Sequence, residues 1–396
     1  MTDGLRLTPS ERRLAAVTAV GAALCLIGFI IQPRRVAAAY LVAYLAVLAV
    51  VLGALATIMI ARLTAATWFV ALRRQAEQIV ATLPALGLLF IPVLLATPWL
   101  YPWASPRTDL VLRSTIQAKS AYLNIPFFII RAVVYWAVWI GLGVVLRRTS
   151  LEQDKGDSAS LERRLRATSA VGIIAFGLTI TFAAFDWMMS LEPAWYSTIF
   201  GVDYFAGAMV GGLALLAVLI QRGRRCGELP DAIGADHLHA LAKLLLTFVL
   251  FWIYVGFSQF IVIWSAEIPM ESSWYIVRTR GGWSTLGLVV ILGHFAVPFL
   301  VLLVLSIKRR PALVAALGVW LLVMHYLDSY WVVMPDAAQR TSWTPLGYVW
   351  DVGALLLVCG VATVAWSRQR AGEPALPQGD PELVPSLEYS TRDVLG

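Results

Sequence analysis

Metal-binding cysteine patterns are missing from this chain. Cys25, Cys226 and Cys359 lie far apart, and neither CxxC nor CxxCH occurs. No iron–sulfur cluster or c-type haem is therefore expected to be ligated here. Charge is scarce as well: 14% of the 396 residues are Asp, Glu, Lys or Arg, against 59% hydrophobic. A water-soluble domain could not hide that much apolar surface, so lipid must solvate much of it. The chain also has no Walker or Gly-rich nucleotide loop, no soluble catalytic domain and no clear short-period repeat.

What the chain does have is long apolar runs. One membrane-spanning helix needs about 20 such residues. Ten candidates fall at roughly 14–31, 36–61, 79–97, 124–146, 169–190, 197–220, 241–265, 283–305, 312–334 and 347–366. The expectation is an all-α integral membrane protein. Residues 1–13 form an N-terminal tail, 14–366 a ten-helix domain, and 367–396 an extended tail with Pro374, Pro377, Pro381 and Pro385 among acids. The first run lacks a small-residue cleavage site before Gln32-Pro33-Arg34-Arg35, so it reads as a retained helix rather than a signal peptide. Residues 62–78 mix Trp68, Phe69 and Leu72 with Arg73, Arg74 and Glu77, and predict an interfacial helix leading into helix 3. Pro98-Trp99-Leu100-Tyr101-Pro102-Trp103 predicts an outer aromatic belt.

Basic residues alternate with the loops. Of 31 Lys and Arg, 21 fall in the two tails and the even-numbered loops, and eight in the odd-numbered loops; Arg131 and Lys243 lie inside helices. The positive-inside rule then puts both termini in the cytoplasm. It also accounts for the net charge of +7 without nucleic acid.

Four acids, Asp186, Asp203, Asp328 and Asp351, lie within or at the lip of apolar runs. An ionised carboxylate in hydrocarbon costs about 2.5–3.5 kcal/mol or more, so such acids face a partner, water or a substrate. The topology sets all four, with Arg131, in the outer third of the membrane. His294 and His325 lie deeper, on consecutive helices. His325 and Asp328 share a helix face one turn apart. The functional reading is a proton path through Asp186, Asp203, His294, His325, Asp328 and Asp351, because histidine changes charge near neutral pH and a neighbouring acid can exchange its proton. A quinol head group in the same outer pocket would also need such a base. Blander readings stand beside it. Asp186 and Asp203 flank a short turn and could cap helices or pair with Arg131. Asp351 could be solvated at the interface, and His294 could hydrogen-bond a neighbouring helix. His237 and His239 read as solvated. A bis-histidine haem between His294 and His325 is a sharper rival.

One block is more specific. Phe185-Asp186-Trp187-Met188-Met189-Ser190-Leu191-Glu192-Pro193, continuing Ala194-Trp195-Tyr196-Ser197-Thr198-Ile199-Phe200-Gly201, closely resembles the signature of the NrfD-like membrane subunits of alternative complex III. Matching pieces run along the chain: Trp68 with Arg73-Arg74 and Glu77; Tyr122-Leu123-Asn124 with Arg131, Tyr135 and Trp139; Phe257-Ser258-Gln259-Phe260; Trp274-Tyr275 with Arg278; His294-Phe295; and Asp328 with Tyr330-Trp331 and Pro335. The chain most resembles the ActF-type member. That resemblance implies two four-helix bundles, helices 2–5 and 6–9, flanked by helices 1 and 10. It implies a bacterial cytoplasmic (inner) membrane subunit of a respiratory quinol:cytochrome c, or other acceptor, oxidoreductase. A homologous sister subunit, an iron–sulfur subunit and cytochrome c subunits would be partners, carrying the clusters and haem c. No cofactor would be bound by this chain, except that it could hold quinone or quinol. Alone it would not be catalytic. A proton-coupled secondary transporter is the alternative from another class, and a scaffold whose acids only pair with Arg131 is a third reading.

Overall fold

In the computed structural model, residues 9–105, 110–156, 158–340 and 346–390 are described. Residues 1–8 of the expected N-terminal tail and the last six of the C-terminal tail lie outside the described residues. Ten helices are long and apolar enough to cross a membrane, and no strand occurs among the described residues. They are α1 (Pro9–Ile31), α2 (Pro33–Leu63), α3 (Thr67–Leu95), α4 (Ile125–Gln153), α5 (Ser158–Trp187), α6 (Phe200–Arg225), α7 (Ala235–Ala266), α8 (Gly282–Leu303), α9 (Pro311–Ala338) and α10 (Gly347–Arg370). The protein is an all-α multi-pass membrane protein.

Local chemistry sets many of the boundaries. Pro33 and Pro311 open α2 and α9 at positions where a missing N–H costs nothing. Asn124 caps α4, its side chain accepting from Phe127 N at 2.9 Å. The end of α3 is segmented: Pro84, Pro92 and Pro98 each start a new short turn, because each removes a backbone donor and restrains the residue before it.

The helices pack as two four-membered rings, α2–α5 and α6–α9, with α1 and α10 paired beside α2. Within its apolar window α2 is 94% buried and α1 17%, so α2 is the axis and α1 the rim. The rings meet where α2 crosses α6. A Cβ added at Gly53 would lie 1.8 Å from the Ala208 carbonyl oxygen, and one at Gly212 would lie 2.6 Å from Ala54 N. Only glycine permits that approach, which replaces the weak hydrophobic drive between helices in lipid with close backbone packing.

Contacts distinguish two faces. The C-terminal tail, the α4–α5 connection and the start of α3 meet on one, here the tail face. The segments 98–105, 112–124, 188–199, 266–282 and 335–340 meet on the other. Three expectations fail on the tail face. Residues 69–80 are buried, not interfacial. The tail is not simply extended: it folds back, forms a short helix at Leu383–Leu387 and covers α3. Ser386 Oγ accepts from Ala71 N at 3.0 Å, and its carbonyl lies 2.8 Å from His237 Nε2. His237 and His239 are buried as well, not solvated. The charges that made this stretch look interfacial are matched internally: Arg73 lies 2.6 Å from Asp380 and 3.3 Å from Glu77, while Arg74 pairs with Glu77 at 2.9 Å and with Asp154.

Candidate functional site

The fold distributes the six candidate residues among three places. Asp186, at the end of α5, is held by α4. Arg131 donates from Nε to Oδ2 at 2.8 Å and from Nη2 to Oδ1 at 2.9 Å, and Tyr135 Oη donates to Oδ2 at 2.7 Å. Arg131 also donates to the Tyr122 carbonyl at 2.9 Å and lies 3.8 Å from the Tyr122 ring centroid. A guanidinium fork on a carboxylate, with aromatic rings over it, is a closed and rigid arrangement.

Asp351, near the start of α10, is held the same way by Arg35 of α2, at 2.9 and 2.5 Å, and accepts from Tyr330 Oη at 3.2 Å. It is buried rather than interfacial. A third fork joins Arg278 to Asp336 at the end of α9, at 3.2 and 2.8 Å, with the Trp274 ring centroid 3.5 Å away. Arg35 and Asp336 were missed in the sequence because each sits at the edge of an apolar run. The available signal was an arginine and an acid at matched depth on that side.

The third place gathers Asp203, Asp328, His325 and His294. Asp203 lies in the first turn of α6. Asp328 and His325 lie about 15 and about 20 Å from the end of α9, at 1.5 Å per residue. Asp203, Asp328, His325 and Ser329 line one small cavity of about 20 Å³, which is room for about one water. Gly207 of α6 makes the space: a Cβ there would stand 3.5 Å from the His325 ring and 3.9 Å from Asp328 Oδ2. Among the described residues no Arg or Lys forms an ion pair with Asp203 or Asp328. The two acids are within electrostatic reach of one another.

His294 joins this group through α8. Pro298 has no N–H to bond the His294 carbonyl, and residues Ile291–Ala296 widen into a π-helical turn, a feature frequent at functional sites. Trp320 Nε1 donates to the Gly293 carbonyl at 2.7 Å within that turn. The widened turn aims His294 inward, fully buried, with its ring centroid 6.2 Å from that of His325 and 4.4 Å from the Trp252 indole. The Trp252 indole is in turn a hydrogen-bond donor toward Asp328. Neither nitrogen of His294 has a hydrogen-bond partner among the described residues, whereas His325 lies against the Ala46 backbone as a hydrogen-bond partner. Buried polar atoms are normally satisfied, so the unbonded ring nitrogens of His294 mark a place where water or a proton-carrying group belongs. A porphyrin does not fit here: the space beside His325 is one water wide.

A short polar series leads from Asp203 to the face opposite the tail. Ser197 Oγ donates to Gln259 Oε1 at 2.7 Å, and Gln259 Nε2 donates to Tyr275 Oη at 3.0 Å. Tyr275 feels the Asp203 charge, and burial pushes its phenol up to about 12, so it stays a neutral hydroxyl with its own proton to donate. Gln259, a lone amide inside an apolar run, was the sequence signal for this series. Two carboxyl groups facing one cavity without a cation cannot both ionise cheaply, so the cluster can hold and pass a proton. Neither the protein-family models nor the curated proteins compared with this chain give a match.

Proposed function

We propose that this chain is an NrfD-like, ActF-type membrane subunit of a quinol-oxidising respiratory complex, and that it moves protons through Asp203, Asp328, His325 and His294. The observation that carries the proton role is the cation-free pair of acids sharing a water-sized cavity with His325. Asp186 and Asp351 hold the helices around it. The 185–201 block supports the family reading, and the absence of CxxC ligands agrees with redox groups residing in partner subunits.

The proposed orientation places the tail face, with the surplus of Lys and Arg, in the cytoplasm of a bacterium. Toward that face, α2, α6 and α9 present Ala54, Leu213, Leu317 and Leu321, all buried and apolar. The cluster therefore communicates with the opposite face, through Tyr275, Gln259 and Ser197, as a half-path. A transporter would purify alone. Affinity purification from the native membrane should instead bring haem- and cluster-bearing chains, visible in the optical spectrum. In that assembly, Asp328→Asn should lower quinol turnover or proton release about a hundredfold, the scale of a lost general acid–base. Full activity in an intact assembly removes the proton role, and a chain that purifies alone removes the complex.

A further inference from the structure

Arg131 and Lys243 are the basic residues that fall inside apolar runs of the sequence. The fold gives Arg131 a carboxylate, Asp186. Lys243 stays exposed. At 1.5 Å per residue it stands about 12 Å from the start of α7. Thr247, Leu250, Tyr254 and Phe257 follow it at helical spacing and are exposed as well. Lys243 therefore lies on the stripe of α7 that meets lipid. A long, flexible ammonium in that position reaches toward the phosphate level of the bilayer.

Other cations join it. After Leu303, Val304 leaves the helix for extended backbone, and the single turn Leu305–Lys308 packs back on α7. Lys243, Lys308 and Arg309 all lie within electrostatic reach of the buried His239 ring, and Asp236 is the acid within the same reach. Elsewhere on the tail face the arginines are matched: Arg62, Arg73, Arg74, Arg147 and Arg370 each meet a carboxylate. Among the described residues Lys243, Lys308 and Arg309 form neither an ion pair nor a side-chain hydrogen bond. Three cations against one acid leave positive charge in surplus, which repels itself unless an anion joins it.

The surroundings identify that anion. Leu300, Leu303 and Leu305 are exposed on the α8 side of the cluster, and Leu250 and Tyr254 on the α7 side. Lipid-facing apolar surface that continues inward from a group of cations fits a charged head with acyl chains attached, and offers nothing to a free ion. Basic clusters between spanning helices are the usual receptors of such heads. We infer that Lys243, Lys308 and Arg309 bind an anionic phospholipid in the tail-face leaflet, and that a head with two phosphodiesters, of the diphosphatidylglycerol class, matches their charge best. The site stands on charge and fold alone. It needs neither the quinol-oxidising complex nor the proton cluster.

The test is native mass spectrometry of the full chain in detergent micelles supplied with equimolar diphosphatidylglycerol, phosphatidylglycerol and phosphatidylcholine. The diphosphatidylglycerol adduct should dominate, with phosphatidylglycerol second. Lys243→Gln, Lys308→Gln and Arg309→Gln should each weaken it about fivefold, the scale of one cation at an anionic surface. Lys243→Arg should retain it. Arg163→Gln with Arg164→Gln removes two exposed charges at the start of α5 on the same face, and should leave the adduct unchanged. Equal adducts of all three lipids, or an unchanged adduct in the triple glutamine variant, overturns the site. An equal loss in the Arg163 and Arg164 control also overturns it, reducing it to the general positive charge of that face. Displacement by excess inorganic phosphate would overturn the lipid in favour of a free anion. Equal binding of phosphatidylglycerol and diphosphatidylglycerol overturns the two-phosphate head.

Discussion

Asp186 and Asp328 lie on the same helix of their respective rings, Asp186 at its end and Asp328 about 15 Å inside it, and meet opposite fates. Each lies on the last helix of its ring, and each is followed seven residues later by a proline, Pro193 and Pro335. Asp186 lies in the fork of Arg131, with Tyr135 donating to one of its oxygens. Asp328 faces a cavity, a histidine and a second acid, with no cation. The first ring thus holds its acid in an ion pair, while the second leaves its acid without one. On the proposed reading, the absence of a fixed counter-charge is what separates the proton-carrying acid from the structural one. The second ring has its own structural fork in Arg278 and Asp336, further toward the face opposite the tail, so Asp328 is released from that duty.

Removing one partner of a buried pair is the sharpest way to break this comparison. Asp186→Asn strands the Arg131 guanidinium in a nearly dry site, and the expected loss is about 3–5 kcal/mol. It should appear as a large drop in thermal-unfolding midpoint in detergent, or as failure to recover a monodisperse chain. A loss under about 1 kcal/mol would place Asp186 with the functional acids instead.

The same substitution at Asp328 should behave in reverse. No cation is stranded, and an uncompensated carboxyl beside Asp203 is replaced by an amide that can donate. Stability should change by less than about 1 kcal/mol or rise, even though turnover in the assembly collapses. A destabilisation as large as that of Asp186→Asn would show that Asp328 has a structural partner, and the difference between the rings would disappear.

Much of this was legible in the chain. Ten apolar runs gave ten helices because lipid admits little else, and His325 with Asp328 on one face follows from helical spacing alone. The rest depended on partners distant in sequence. Arg35 meets Asp351 only because α10 returns beside α2. Residues 62–78 have the composition of a surface helix, and their charges are buried against partners distant in sequence, Asp154, Glu162 and the folded-back tail's Asp380. The turn that aims His294 hangs on Pro298 and on the Trp320 bond to Gly293, a packing detail with no periodic signature. Gln259 stood out only as part of the Phe257-Ser258-Gln259-Phe260 piece, and its link to Ser197 and Tyr275 was not legible.

The smallest effect sharpens the comparison most. If Asp203 and Asp328 form one unit, their substitutions must not add. In the double-mutant cycle of Asp203→Asn and Asp328→Asn, the interaction energy on turnover or on stability should be about 0.5–3 kcal/mol, the range for residues in one network. Asp186 shares no partner with Asp328, so the control cycle of Asp186→Asn with Asp328→Asn should add to within about 0.3–0.5 kcal/mol. The contrast between the two cycles matters more than either value, since global softening of the fold would enter both. Equal coupling in both would mean that the three acids respond as one electrostatic field, and the separation into structural and proton-carrying acids would fail.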